Sequence, residues 1–331
     1  MKQIIDQLNN SRSILVTTHV HPDGDAVGTL LAMGLALKAL EKNVRMFNES
    51  PIPAVYRFLP WISAIQQYLV ADMHFDTVVV LDCSDLDRVG DAAQLLRKSQ
   101  MIINIDHHVT NTGFGDLQLI DTRACATAEI VYRLIKTLPV PIDSAIATAI
   151  YTGILTDTGS FRFSNTNQAA FSICTEMIEH GANPYDIAQH VYGTYSLGRI
   201  KLLNMALDSL EISKNGMLSM MTLTQRMLEE TRTQPEDIDG MINYARRIED
   251  VKVAALIHET TRDGQGPSGK QKKYHVSLRS DGSVDVARIC ARYGGGGHVS
   301  AAGFSMETTL SDLKTEMMKL SEMIPELCAV N

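Results

Sequence analysis

The sequence has no Cys-x-x-Cys pair. Its five cysteines, Cys83, Cys125, Cys174, Cys290 and Cys328, are odd in number and scattered, which speaks against a disulfide framework and a zinc-thiolate site and suggests reduced, packed thiols. It also has no run of about 18 or more uncharged apolar residues, and its N-terminus, MKQIIDQLNNSR, has no signal-peptide core. A cytoplasmic protein with no membrane partner is therefore expected. Positive charge is short as well. The 30 Lys and Arg are outnumbered by 38 Asp and Glu, and a net charge of −8 argues against a protein that coats long nucleic acid by neutralising phosphates. Internal repeats and low-complexity tracts are absent.

What is present is an ordinary globular composition, 45% hydrophobic and 21% charged, in a chain of 331 residues. That length exceeds the usual single core and favours two domains. Charge is unevenly placed. Residues 241 to 300 carry ten Lys or Arg against six Asp or Glu, a local +4 that leaves −12 for the remainder and suits a basic surface for a small anionic ligand.

The stretch that organises the chain is ILVTTHVHPDGDAVGTLLAMGLALKAL, Ile14 to Leu40. An apolar β-branched run gives way at His19 to a polar turn holding Asp23 and Asp25, and then to a helical Ala/Leu/Met pattern. In an open parallel α/β sheet, ligands bind beyond the carboxyl ends of the strands, so these residues stand where chemistry is expected. One imidazole and two carboxylates within seven residues look like half a metal site. The plainer alternative is that Asp25 caps the helix.

Two later strands repeat the pattern. TVVVLDCSD, Thr77 to Asp85, reads as a buried parallel strand ending at Asp82, and MIINIDHHVTN, Met101 to Asn111, ends in Asp106, His107 and His108. Adjacent strand residues point to opposite sides, so one histidine is expected to be a ligand and the other something else. A small-residue helix from Ser144 to about Leu155 then meets Asp157 in a Gly/Thr/Ser turn, and helices dominate from Asn167 through Glu211. In the last third, MLSMMTLT, VKVAALIHET and KYHVSLRS read as strands, residues 236 to 249 as a helix, and TRDGQGPSGKQKK as a flexible hairpin loop. A helix from Val286 to Arg292 leads into YGGGGHVSAAGFSM, where a compact Ala/Gly helix is expected after the glycines.

Carboxylates mixed with imidazoles, without thiolate, suit six-coordinate Mn²⁺ better than structural zinc, and Mg²⁺ is compatible with the same donors. Carboxylates packed together without cations would repel, so a pair of divalent ions is the natural neutraliser.

THVHPDGDA, LDCSD, IDHH and LTDTGSF resemble, in order, the four motifs of the DHH phosphoesterases, and GGGGHVSAAG resembles the glycine-rich motif of the DHH-associated domain. The likeness spans nearly the whole chain and is greatest to the bacterial oligoribonucleases that also remove the 3′-phosphate of adenosine 3′,5′-bisphosphate. It implies an α/β fold: an N-terminal doubly wound, mostly parallel sheet over residues 1–185, a helical linker over 186–212, and a smaller α/β substrate-binding domain over 213–331.

The resemblance also implies roles. His19, Asp23 and Asp82 would hold one Mn²⁺, and Asp25, Asp82, His107 and Asp157 the other, with Asp82 bridging. Asp106 would orient an imidazole through its carboxylate. His108 would face the scissile phosphate as a hydrogen-bond donor and general acid. His21 stands where relatives often carry Asn and receives no ligand role. In the second domain, Gly294, Gly295, Gly296 and Gly297 would let backbone approach a phosphate and form an anion nest ahead of a helix, His298 would add a donor, and Arg279 would clamp a terminal phosphate. Arg162 and Arg262 are weaker candidates of the same kind, and Tyr274 and Tyr293 could stack on a base or lie in the core.

The implied activity is Mn²⁺-dependent hydrolysis of short oligoribonucleotides to 5′-mononucleotides and of adenosine 3′,5′-bisphosphate to AMP and phosphate. Short RNA and nucleotides would be the partners, and relatives often form homodimers. A phosphodiesterase of cyclic or linear dinucleotides uses the same motifs and is the alternative among enzymes. A RecJ-type exonuclease fits less well because the chain lacks a further nucleic-acid-binding domain. Family II pyrophosphatase is disfavoured by GGGGH standing in place of its Lys/Arg-rich motif. A non-catalytic nucleotide sensor should have lost ligands, and every motif ligand is present.

Overall fold

A computed structural model describes residues 1–69, 73–97, 99–193, 195–260 and 272–328, which divide into two units, Met1–Thr194 and Tyr195–Asn331. The hairpin loop expected at 261–273, with Arg262, falls almost wholly outside the described residues.

The first unit is built on six strands: β1 (Ser13–Thr18), β2 (Asn43–Phe47), β3 (Ile65–Gln66), β4 (Thr77–Leu81), β5 (Ile102–Asp106) and β6 (Leu117–Ile120). Their order is β3-β2-β1-β4-β5-β6 and every pairing is parallel. The chain runs outward from β1 to β3, then returns to β4 beside β1 and runs outward the other way. That reversal makes the carboxyl ends of β1 and β4 a topological switch point.

Both faces of the sheet are covered, as the unbroken apolar runs require. Along β4, Val79 and Leu81 join one core and Val78 and Val80 the other. The larger core is closed by α1 (Lys2–Asn10), α2 (Gly24–Ala39), α4 (Thr127–Ile135), α5 (Ser144–Asp157) and α6 (Gln168–Glu179); the smaller one takes in α3 (Ala93–Leu96). A short α7 (Pro184–Ala188) follows α6. Every residue of α2 from Gly24 to Leu37 is buried, so this helix has no solvent face. It packs against α5 through small residues. A Cβ at Gly28 would lie 2.4 Å from the carbonyl oxygen of Ala149, and one at Gly153 would lie 2.8 Å from Oδ1 of Asp25.

The second unit has six strands: β7 (Glu211–Ile212), β8 (Leu218–Leu223), β9 (Val253–Glu259), β10 (Lys272–Ser280), β11 (Gly296–His298) and β12 (Ala301–Thr308), in the order β11-β12-β10-β9-β8-β7. Among the described residues of this unit only β8 and β9 pair in parallel. Strand alternation splits its core in two. Val276 and Leu278 face α11 (Val286–Ala291) and α12 (Leu310–Cys328), while Leu256 and Met221 face α8 (Leu197–Asp208), α9 (Gln225–Thr231) and α10 (Ile242–Arg246).

Two expectations are corrected here. The helix expected over 236–249 is interrupted: a 3₁₀ turn at Pro235–Ile238 and the short α10 are separated by Gly240, whose φ of 78° no right-handed helix accommodates. The helix expected after the glycines is instead the β11–β12 hairpin. Ala302 and Phe304, two residues apart, are both buried against the sheet core, and that is a strand period.

In an ordinary helix Gly→Ala is stabilising, by up to about 1 kcal/mol. At Gly28 the opposite is expected: Gly28→Ala should lower stability by about 1–3 kcal/mol, because the added methyl group must push α5 away. Chemical denaturation of the two proteins gives the sign directly.

Candidate metal centre

The β1–α2 turn places the first group. His19 is buried, and its Nδ1 lies 2.9 Å from the carbonyl oxygen of Val20. A carbonyl only accepts, so Nδ1 carries a proton, and Nε2 faces Oδ2 of Asp82 at 3.6 Å. Asp23 caps α2, its Oδ1 accepting from the backbone N–H groups of Asp25 and Ala26 at 3.0 Å each. The capping role considered for Asp25 thus belongs to Asp23. Asp25 is buried, and its two carboxylate oxygens accept from the backbone N–H groups of Thr127 (2.6 Å) and Ala128 (2.9 Å). It caps α4, a helix about a hundred residues away, whose own N-cap residue, Ala126, has no side-chain acceptor.

Asp82 follows β4 directly. It is buried and non-glycine, yet its φ is 58°, a left-handed conformation that costs energy and turns the carboxylate across the strand ends. Its Oδ2 faces His19. Its Oδ1 lies 3.9 Å from Nε2 of His107 and 3.7 Å from Nδ1 of His108, and accepts a 2.8 Å hydrogen bond from the hydroxyl of Thr127.

The two histidines lie beyond the end of β5, so strand alternation does not apply to them. The expectation that they point to opposite sides is corrected: their rings meet edge to face with centroids 4.7 Å apart, and both approach Asp82. His107 places Nδ1 3.3 Å from the carbonyl oxygen of Ala124 and Nε2 3.5 Å from Asp157. His108 donates from Nδ1 to Oδ1 of Asp106 at 2.6 Å, and the other oxygen of Asp106 accepts from Asn111 at 2.6 Å. Asp157 is the last residue of α5, and Asn165 donates to its Oδ2 at 3.2 Å. The chain then turns through Gly159, Ser160 and Phe161, all at φ near +60°. Two non-glycine residues in succession in that region mark a strained turn beside the site.

Three sets of donor atoms each lie within 4.8 Å of one another: His19, Asp23 and Asp82; Asp82, His107 and His108; Asp25, His107 and Asp157. Among the described residues no Lys or Arg pairs with any of these carboxylates. The charges accordingly perturb one another. Burial, with the charges of Asp82 and Asp157 beside it, pushes Asp25 well above the usual carboxylate range, and burial together with Asp23 and Asp82 pushes Asp157 up to about 7. Burial alone would also raise Asp82, but the neighbouring imidazoles outweigh it and hold this group below its ordinary value. In His108 burial disfavours the charged ring, yet the bond to Asp106 and the charge of Asp82 raise it to about 9. The Cys83 thiol, pushed up by burial and by Asp82, stays neutral and outside the donor set. Oxygen and imidazole donors around an undercompensated buried acid cluster fit hard or borderline divalent cations such as Mn²⁺ and Mg²⁺.

The remaining sequence-predicted residues belong to the second unit. Arg279 is half-buried on β10 and donates to the carbonyl oxygen of Leu278 at 3.0 Å. In the sheet register, Ala301 pairs with Arg279 on one side and His298 on the other. The side chain of His298 lies outside the described residues. The four glycines do different work. A Cβ at Gly295 would lie 2.2 Å from the carbonyl oxygen of Gly303, and one at Gly297 2.5 Å from that of Ala301, so these two serve close strand packing. A Cβ at Gly294 or at Gly296 would meet nothing within 4 Å, and Gly294 also supplies a φ of 73°. A strand and not a helix follows the glycines, so the helix start expected beside them is absent. Tyr274 is buried, and Tyr293 stacks on Phe304 and donates to Glu316, so both are packing residues. Arg162 donates to the carbonyl oxygen of Gly159. Sequence reading missed Thr127 and Asn111; a threonine one position inside a helix that has no capping residue was the signal available for the first.

The model of the DHH family, N-terminal domain, matches residues 13–154, and that of the DHHA1 domain matches 219–328. The chain is 32% identical over 294 residues to the bifunctional oligoribonuclease and PAP phosphatase NrnA of Thermus thermophilus, covering 89% of this chain and 84% of that one. The protein of the same name from Bacillus subtilis is 25% identical, with 95% and 97% covered. Among solved structures, an exopolyphosphatase-related protein from Bacteroides fragilis superposes with a TM-score of 0.89 at 26% identity, covering 98% of this chain and 96% of that chain. RecJ of Thermus thermophilus in complex with Mn²⁺ shares the fold, with a TM-score of 0.52 at 13% identity over 99% of this chain and 54% of its own.

A group whose pKa is raised holds its proton until a cation displaces it. Mn²⁺ binding near pH 6.5 should therefore release protons from Asp25 and Asp157, and release should diminish toward pH 9 as Asp157 loses its own beforehand. Titration calorimetry in buffers of different ionisation enthalpy measures the number released at each pH.

Proposed function

The chain belongs to the DHH family of phosphoesterases, and from that premise we propose that it hydrolyses short oligoribonucleotides to 5′-mononucleotides and adenosine 3′,5′-bisphosphate to AMP and phosphate, with two Mn²⁺ ions as cofactor. The observation that carries this reading is the position of Asp82, whose two carboxylate oxygens face separate imidazoles, His19 on one side and His107 on the other. A carboxylate so placed can serve two cations at once. Two relatives that the chain matches over most of its length are named for the same pair of activities.

His19, Asp23 and Asp82 would hold one ion, and Asp25, Asp82, His107 and Asp157 the other. When bound, such ions would supply charge neutralisation for the phosphoryl oxygens and a lowered pKa for water. Around them, the carbonyl oxygens of Val20 and Ala124 fix the tautomers of His19 and His107. Asp106 locks the ring of His108 through Nδ1, so the proton handed to the leaving sugar oxygen would come from Nε2. In the second unit, Arg279 and His298 flank Ala301 in the sheet register and would bind substrate phosphate, a planar guanidinium fork being well matched to it. Gly294 and Gly296 are the glycines of the run with open space beside the backbone, where a ligand could approach.

Purified protein assayed with Mn²⁺ on adenosine 3′,5′-bisphosphate, di- to pentaribonucleotides, a cyclic dinucleotide and pyrophosphate should turn over the first two classes. Cleavage confined to the cyclic dinucleotide would instead favour the alternative phosphodiesterase. Asp82→Ala should remove turnover by more than the roughly 10–100-fold that loss of an outer partner costs, and near-normal activity in that variant would end the metal assignment. In the second unit, His298→Ala and Gly296→Ala should raise KM on dinucleotides with little change in kcat. Gly295→Ala should disrupt the hairpin itself, which a thermal melt distinguishes.

A further inference from the structure

We propose that Thr127 is a positioning residue of the metal centre: its hydroxyl orients Asp82, its backbone N–H holds Asp25, and the hydroxyl is required for full affinity for divalent cations. The inference rests on the metal reading above.

Three observations support it. First, Thr127 is completely buried and touches carboxylates assigned to both ions, donating from Oγ1 to Oδ1 of Asp82 at 2.8 Å and from its N–H to Oδ2 of Asp25 at 2.6 Å. Second, it opens α4, and the N-cap residue before it is Ala126, which makes no side-chain cap. The free N–H groups at the start of that helix are therefore directed at Asp25, and their partial positive charge lies against the buried acids. Third, Asp82 needs an orienting partner. Its backbone is held in a strained left-handed conformation, but the terminal torsion of an aspartate is broad, so the backbone does not determine the plane of the carboxylate. The hydroxyl hydrogen bond does. It keeps Oδ1 toward His107 and His108 and leaves Oδ2 toward His19, the arrangement a bridging carboxylate requires.

Thr127→Val keeps the β-branched shape and the backbone N–H while deleting the donor, and Thr127→Ser keeps the donor while deleting the methyl group. The whole 331-residue chain, stripped of metal and shown folded by circular dichroism, is titrated with Mn²⁺ while the paramagnetic resonance of the free ion is followed. Thr127→Val should bind roughly 10–100-fold more weakly than the unaltered chain, Thr127→Ser should restore binding, and turnover of Thr127→Val should recover as Mn²⁺ is raised. Binding by Thr127→Val that equals the unaltered chain, with Asp82→Asn weakened, would overturn the positioning role and leave the metal reading standing. Thr127→Ser as weak as Thr127→Val would overturn it too, by assigning the effect to the methyl group. Undiminished binding by Asp82→Asn would remove the metal reading and this inference together. Should Thr127→Val fail to fold, Thr127→Ala deletes the same donor with less bulk, and its affinity decides in the same two ways.

Discussion

The structure depends on a buried concentration of negative charge that the polypeptide leaves undercompensated. Asp25, Asp82 and Asp106 are buried, Asp23 and Asp157 stand beside them, and among the described residues the positive character near them includes three imidazoles, the first turn of a helix and the charge of Arg88, which also acts on His19 and His108. Unpaired charges in such surroundings are costly, and the raised proton affinities of Asp25 and Asp157 express that cost. Divalent cations are the compensation that the donor chemistry suits. A site of this kind is held together partly by what it binds.

Placing those acids requires a scaffold that does not yield. Helix α2, buried from Gly24 to Leu37, carries Asp23 and Asp25 at its start, α5 carries Asp157 at its end, and glycines at the crossing bring the two helices closer than any side chain would allow. The third helix, α4, takes Asp25 as its cap, so secondary structure and site share the same hydrogen bonds. The strained backbone at Asp82 and at Ser160 and Phe161 persists because the surrounding packing is this tight.

The glycine run of the second unit shows how one motif can serve two purposes. Gly295 and Gly297 allow β11 to lie against β12, whereas Gly296 faces open space. A composition read as a phosphate cradle is in large part a requirement of strand packing. The helix expected after it was misread for a related reason: the Ala- and Gly-rich stretch from Ala301 has good helix formers, but the two-residue spacing of Ala302 and Phe304, settled by pairing with β10, prevails over propensity.

The sequence by itself determined the parallel sheet of the first unit and the residues at its edge. The apolar runs ending at Thr18, Leu81 and Asp106 are strands by composition, and parallel crossover connections bring their carboxyl ends to one side whatever the details. His19, Asp82 and His107 were legible as neighbours for that reason, whereas Asp157, at the end of α5, was grouped with them by the family resemblance. Only the tertiary structure decided which way each group faces: that both histidines after β5 turn toward Asp82, that Asp25 caps α4, and that Thr127 reaches Asp82. Those contacts join segments tens to a hundred residues apart. Local propensity acts over a few residues and carries no information about such pairs, whose geometry arises only when the helices close over the sheet.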